Sequence, residues 1–195
     1  MCKLLRSIPH RSNFIIAPLA SLLLIGISNT VPAASPAAAG LSPESTEILS
    51  AHNQYRRKHC APALTWSPEL ARGAQAWANA CTRNPENKDS FAHSDPTRSA
   101  EAYGENLYWG TSADANTAVD LWYSEVNQYD FDRPRFSGHV GHFTQLVWLG
   151  SRQLGCGLAS CGGLNFWVCR YSPPGNWNVN QPGVLVANVK PPCPD

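Results

Sequence analysis

The 195 residues carry 15 Lys and Arg against 14 Asp and Glu, a formal charge of +1, with 43% hydrophobic residues and seven cysteines. So balanced a charge excludes the basic footprint of a nucleic-acid-binding surface. The length beyond an N-terminal leader suits a single domain with one sizeable core.

Residues 1–33 read as a secretory signal peptide. Lys3, Arg6 and Arg11 form the basic start, Phe14 to Ile27 the apolar run, and small residues from Val31 onward offer cleavage between residues 33 and 39. The run holds Pro18 and is short for a membrane span, so no transmembrane anchor is expected after cleavage. Loss of the three basic residues turns the formal charge of +1 into −2. Residues 34–43 form an Ala/Pro-rich linker, and 44–195 are expected to make one domain with a C-terminal arm, exported as a monomer.

Cys2 leaves with the leader, and Cys60, Cys81, Cys156, Cys161, Cys169 and Cys193 remain. Six cysteines in an exported chain predict three disulfides, although spacing alone cannot choose among the possible pairings. A zinc site built on cysteines is disfavoured, because no Cys-x2-Cys pair occurs.

Ser42-Pro43-Glu44 supplies an N-cap, a first-turn proline and an early acid, predicting a helix to about Lys58 with Ile48, Leu49, His52 and Tyr55 on one face. His52 and His59 read as helix-surface or packing residues. Ser67-Pro68-Glu69 repeats the start signal, and Leu70, Ala74, Trp77, Ala78 and Cys81 follow at helical spacing. Between Thr82 and Ala102 the composition turns polar, which places His93 in a loop. A third helix is predicted from Ser112–Asp114 to about Tyr129, with Ala118, Trp122, Glu125 and Tyr129 on one stripe. An acid on an apolar stripe calls for a partner or a cavity.

A short helical turn is expected to carry His142 before Leu146-Val147-Trp148 extends into a strand. Residues 152–171 read as loop and strand, the aromatic and β-branched run Asn165–Tyr171 above all. The tail after Tyr171 is read as an extended arm full of turns. Neither His-Glu-x-x-His nor Gly-x-Ser-x-Gly is present. His139, among Gly138, Val140 and Gly141, is a poor second ligand beside His142, and Ser94 is a hydroxyl of interest next to His93.

Six pieces then fall in a specific order: Ala92-His93-Ser94, Tyr103-Gly104-Glu105-Asn106-Leu107, Trp122-Tyr123-Ser124-Glu125, Gly141-His142-Phe143-Thr144-Gln145-Leu146-Val147-Trp148, Gly155-Cys156-Gly157 and Cys169-Arg170-Tyr171-Ser172-Pro173-Pro174-Gly175-Asn176. Together they resemble the CAP superfamily of cysteine-rich secretory, antigen 5 and pathogenesis-related 1 proteins, also called the SCP domain, over about residues 44–190. The resemblance implies an α+β fold, a three-layer α-β-α sandwich around a twisted, mainly antiparallel sheet. It maps a cleft tetrad onto His93, Glu105, Glu125 and His142, in which His93 and His142 can hold a divalent metal, commonly zinc, with the glutamates beside them. It also implies the disulfides Cys81–Cys161 and Cys156–Cys169, and with them Cys60–Cys193.

Two departures stand out. Val140 occupies a position where plant members often have a cysteine, and Pro182 is followed by Gly183 where plant members that release a signalling peptide have Pro-Tyr. The resemblance implies a secreted or extracellular protein, periplasmic or cell-surface if bacterial, in a defence or host and environment interaction role. Three uses of the site remain open. One is a binding module for small hydrophobic ligands such as a sterol or fatty acid, with or without a metal. Another is a zinc-dependent hydrolase or protease with Glu105 or Glu125 as general base. The third is a partner for an extracellular protein or carbohydrate, with the tetrad as a polar network pinning the cleft. No organic cofactor is implied.

Overall fold

The computed structural model describes residues 40–83, 92–94 and 102–194; the leader and the linker up to residue 39 lie outside the described residues. Helix α1 spans Pro43–Lys58. Ser42 caps it by accepting from the Ser45 amide at 3.2 Å, and Ile48, Ala51, His52 and Arg56 form its buried stripe. After the two-residue strand β1, Thr65–Trp66, helix α2 runs Pro68–Ala78 under a Ser67 cap that accepts from the Leu70 amide. It tightens into a 3-10 turn, Asn79–Arg83, which carries Cys81. Strand β2 is Gly104–Gly110, and helix α3, Ala115–Ser124, starts at an Asp114 cap.

Helix α3 stops five residues short of the predicted end and continues as a 3-10 turn, Glu125–Gln128. Helix α4 spans Gly141–Val147, followed by strands β3, Gln153–Cys161, and β4, Leu164–Ser172, and by helix α5, Val184–Asn188. Two expectations are thereby corrected. Leu146 and Val147 are helical and Trp148 caps α4, so no strand begins there. The tail is not extended throughout, because α5 forms in it behind Gly183, whose φ of 81° a glycine adopts without strain.

The sheet order is β1-β3-β4-β2. β3 and β4 form a hairpin, with Cys156 opposite Cys169, that turns through Gly162 and Gly163, both at positive φ as a two-residue hairpin loop requires. β2 runs antiparallel to β4 with Glu105 opposite Arg170, and β1 pairs parallel to β3. One face of the sheet lies on α2, and Gly155 and Gly157 permit the close approach. A Cβ at either would come within 2.2 Å or 2.3 Å of the α2 backbone. On the other face Leu154, Trp167 and Tyr171 meet Ile48, Trp122, Phe143 and Leu146 of α1, α3 and α4 in the main core. The result is a three-layer α-β-α sandwich.

Three disulfides brace it. Cys60–Cys193 ties the end of α1 to the tail, Cys81–Cys161 ties the turn after α2 to the end of β3, and Cys156–Cys169 crosses the hairpin. Arg56 is a second brace. Its buried guanidinium donates to the carbonyls of Pro62, Leu146, Trp148 and Ser151 at 2.9–3.1 Å, gathering the end of α4 onto α1. Burial lowers its pKa to about 10, which leaves it cationic at neutral pH. Of the two readings for His52 and His59, packing is the outcome, since both are buried. Among the described residues no helix is long and apolar enough to cross a membrane.

Candidate functional site

Glu105 gathers the first half of the site. It lies on β2 with a side chain only 6% exposed, and four donors reach it. His93 Nδ1 is 3.0 Å and the Ser94 amide 2.9 Å from Oε1, while the Ser94 hydroxyl at 2.6 Å and Arg170 Nε at 3.2 Å serve Oε2. The segment bearing His93 is pinned to α2 by Trp77 Nε1, which donates to the Ala92 carbonyl at 2.9 Å. With its proton given to Glu105, Ser94 Oγ accepts from Tyr103 and from Arg170, whose guanidinium lies 4.0 Å over the Tyr103 ring. Burial pushes the Glu105 carboxyl up, but the bonds from His93 and Ser94 and the charge of Arg170 outweigh it and hold the pKa below the usual range.

The second half is built on Glu125, the first residue of the 3-10 turn. Its Oε1 accepts from His142 Nδ1 at 2.7 Å, and its Oε2 accepts from the His142 and Phe143 amides at 2.9 Å and 3.0 Å. Those amides open α4, a helix whose own N-cap residue, Val140, offers no side-chain acceptor. Glu125 therefore caps α4 from another element, with its charge at the favourable end of the helix dipole. Asn106 Nδ2 holds the His142 carbonyl at 3.0 Å, and Asn176 of the tail grips the same turn through Thr144 Oγ1 and the Gly141 carbonyl.

The four side chains thus form two acid–imidazole dyads. Successive residues of a strand face opposite ways. Glu105 stands with Arg170 on the α2 side of edge strand β2, and the next residue, Asn106, reaches the His142 carbonyl of α4, so β2 links the two dyads. In each, Nδ1 donates to a carboxylate, which leaves Nε2 as the remaining ring nitrogen. His93 is the open member, 59% exposed against 33% for His142. His139 is exposed in the turn before α4. Among the described residues no three His, Cys, Asp or Glu side chains converge as a metal-holding group. Each dyad presents one imidazole nitrogen as a possible donor.

Arg170, Tyr103, Asn106 and Asn176 belong to this site although sequence reasoning gave them no role. The partnership of Glu105 and Arg170 depends on strand register across 65 residues, which no local pattern encodes.

A disulfide-braced α-β-α sandwich with two acid–histidine pairs linked by an edge strand is the class of protein these features define. The chain belongs to the cysteine-rich secretory protein (CAP) family, whose pattern it matches over residues 49–171. It is 40% identical over 148 residues to the human Golgi-associated plant pathogenesis-related protein 1, covering 75% of this chain and 92% of that one. It is also 40% identical over 137 residues to Protein PRY2 of Saccharomyces cerevisiae, covering 68% of this chain but 38% of the yeast protein. Among solved structures, the Schistosoma mansoni venom allergen-like protein 4 superposes with a TM-score of 0.55 at 26% identity, covering 70% of this chain and 91% of that one.

Proposed function

We propose that this chain is an extracellular binding module in which His93 and His142 hold a divalent metal ion, zinc by donor chemistry, through their Nε2 atoms. The observation that carries this reading is the occupation of both Nδ1 atoms by carboxylates. That pattern fixes tautomer and ring orientation and raises the basicity of the outward nitrogen, as the carboxylate partners of metal-bound histidines do. A zinc ion bound there would supply a Lewis-acidic centre that lowers the pKa of its waters. Glu105, with both oxygens engaged by four donors, serves to orient His93 and is poorly placed to act as a general base. Three disulfides support an oxidising, extracytosolic setting.

The test is a zinc titration followed by calorimetry and by imidazole NMR shifts in the wild type, His93→Ala and His142→Ala. Uptake of one ion by the wild type, weakened in both variants, is expected. Absence of uptake by the wild type would overturn the reading.

A second reading, a small hydrophobic ligand such as a sterol or fatty acid, is favoured by two exposed aromatic rings near α4. The Phe136 ring lies where a Cβ added at Gly141 would touch it, and Trp177, 66% exposed, directly follows the Asn176 that grips the same turn. Fluorescent sterol and fatty-acid binding that falls with Trp177→Ala but survives His142→Ala would place such a ligand on these rings. Peptidase activity lost with His142→Ala would instead support hydrolysis.

A further inference from the structure

Away from the dyads, a cavity of about 520 Å³ opens at the C-terminal ends of α1 and α3, lined by Arg57, Lys58, Tyr123, Pro192, Cys193 and Pro194. Among the described residues its lining holds two cations and no acid. Among the described residues neither Arg57 nor Lys58 pairs with a carboxylate. Lys58 instead rests its ammonium 4.7 Å over the Tyr55 ring and 5.4 Å over the Tyr123 ring, which stack on each other at 3.9 Å. This sets a positive charge beside an aromatic shelf without neutralising it.

The walls are fixed in advance. The Cys60–Cys193 disulfide and the Cys193 amide, which donates to the Lys58 carbonyl at 2.8 Å, lock the proline-bearing tail against α1. His59 secures the floor. Its Nδ1 is 2.6 Å from the Lys190 carbonyl, which can only accept, so Nδ1 carries the proton and Nε2 accepts the Tyr123 hydroxyl at 3.1 Å. The hydroxyl proton of Tyr123 is therefore committed inward. What the cavity offers a ligand is the guanidinium, the ammonium, the ring of Tyr123 and two proline faces.

We propose that this cavity is a second binding site, taking a small anion carried on an aromatic ring: a phosphate, sulfate or carboxylate group meets Arg57 and Lys58, and the ring packs on Tyr123, Pro192 and Pro194. An arginine and a lysine side by side give charge-assisted hydrogen bonds to such oxygens, and the pre-locked walls spare the ligand the cost of ordering them. None of the six lining residues belongs to either dyad, so the site stands independently of the metal reading.

Phenyl phosphate is the probe, with inorganic phosphate and phenol as its two halves, followed by amide NMR shifts in the folded, disulfide-intact protein. Saturable shifts at Arg57, Lys58, Tyr123 and Cys193 are expected, weakening with added salt. Arg57→Gln with Lys58→Gln should weaken binding at least about tenfold, with amide shifts away from the cavity unchanged, whereas His142→Ala should leave binding intact. Inorganic phosphate should bind at least about tenfold more weakly than phenyl phosphate. Three outcomes would overturn the proposal: no saturable shift at concentrations on the order of 10 mM, binding indifferent to the double substitution, or binding lost with His142→Ala. Equal affinity for inorganic phosphate would overturn the aromatic half of it.

Discussion

Replacing Glu125 by alanine removes the acceptor for three donors at once, the His142 imidazole at 2.7 Å and the amides of His142 and Phe143 at 2.9 Å and 3.0 Å. Helix α4 has no cap of its own to fall back on, because Val140 stands at that position. Loss of a helix cap costs about 1 kcal/mol, and a charge-assisted bond whose partner stays half-buried adds about 1.5–3 kcal/mol. Water reaching the loosened turn returns part of this, so Glu125→Ala should cost about 2–4 kcal/mol. For a chain of this length that is a fall in melting temperature of roughly 10 °C. Glu125→Gln keeps one carbonyl oxygen and should lose about half as much. Thermal unfolding with the disulfides intact measures the loss, and hydrogen exchange at the His142 and Phe143 amides locates it. A Glu125→Ala protein melting within about 2 °C of wild type, with both amides still protected, would refute the claim that α4 depends on this cap.

Acid should destabilise the protein in two stages. Burial pushes His52 down to about 3 and holds His59 below its ordinary value, whereas both imidazoles protonate near ~6.5 once unfolded. The unfolded chain then binds more protons, and stability falls as pH drops below ~6.5, by up to about 1.4 kcal/mol per pH unit for each imidazole. Glu105 adds the second stage: its folded pKa is depressed, so its contribution is complete above the unfolded carboxyl value and is lost as pH falls through the folded one. Urea midpoints between about pH 7.5 and pH 2.5 should slope accordingly, and a flat profile would contradict the burial argument. Arg56→Met should cost about 3–5 kcal/mol, because four carbonyls lose their donor; a denaturant midpoint near wild type would show that water replaces it.

Local chemistry made α1 and α2 legible, since Ser-Pro-Glu states a cap, a first-turn proline and an early acid in three letters. The same logic failed for Leu146–Trp148, read as the start of a strand. Phe143, Thr144, Gln145, Leu146 and Val147 are all buried, so the run has no solvent face and no period to separate helix from strand. Strand β2 escaped notice because Glu105 and Asn106 interrupt its apolar pattern, and they do so because each serves a dyad. Glu125 on an apolar stripe did announce a partner, although a 3-10 turn and not α3 presents it. Arg56 gave no such warning, because a cation near a helix C-terminus is ordinarily solvated and three of its four carbonyl partners, Leu146, Trp148 and Ser151, lie 90 to 95 residues along the chain.

The Cys60–Cys193 bond also governs what proteolysis can accomplish. The turn-rich stretch around Asn178–Gly183 is an accessible place to cut, yet the distal piece would stay joined to α1 through a sulfur bridge. The Leu149 amide further holds it at the Asn188 carbonyl. A nicked molecule would migrate as one species until reductant is added, so liberating a peptide from this arm takes two chemical events, hydrolysis and thiol exchange.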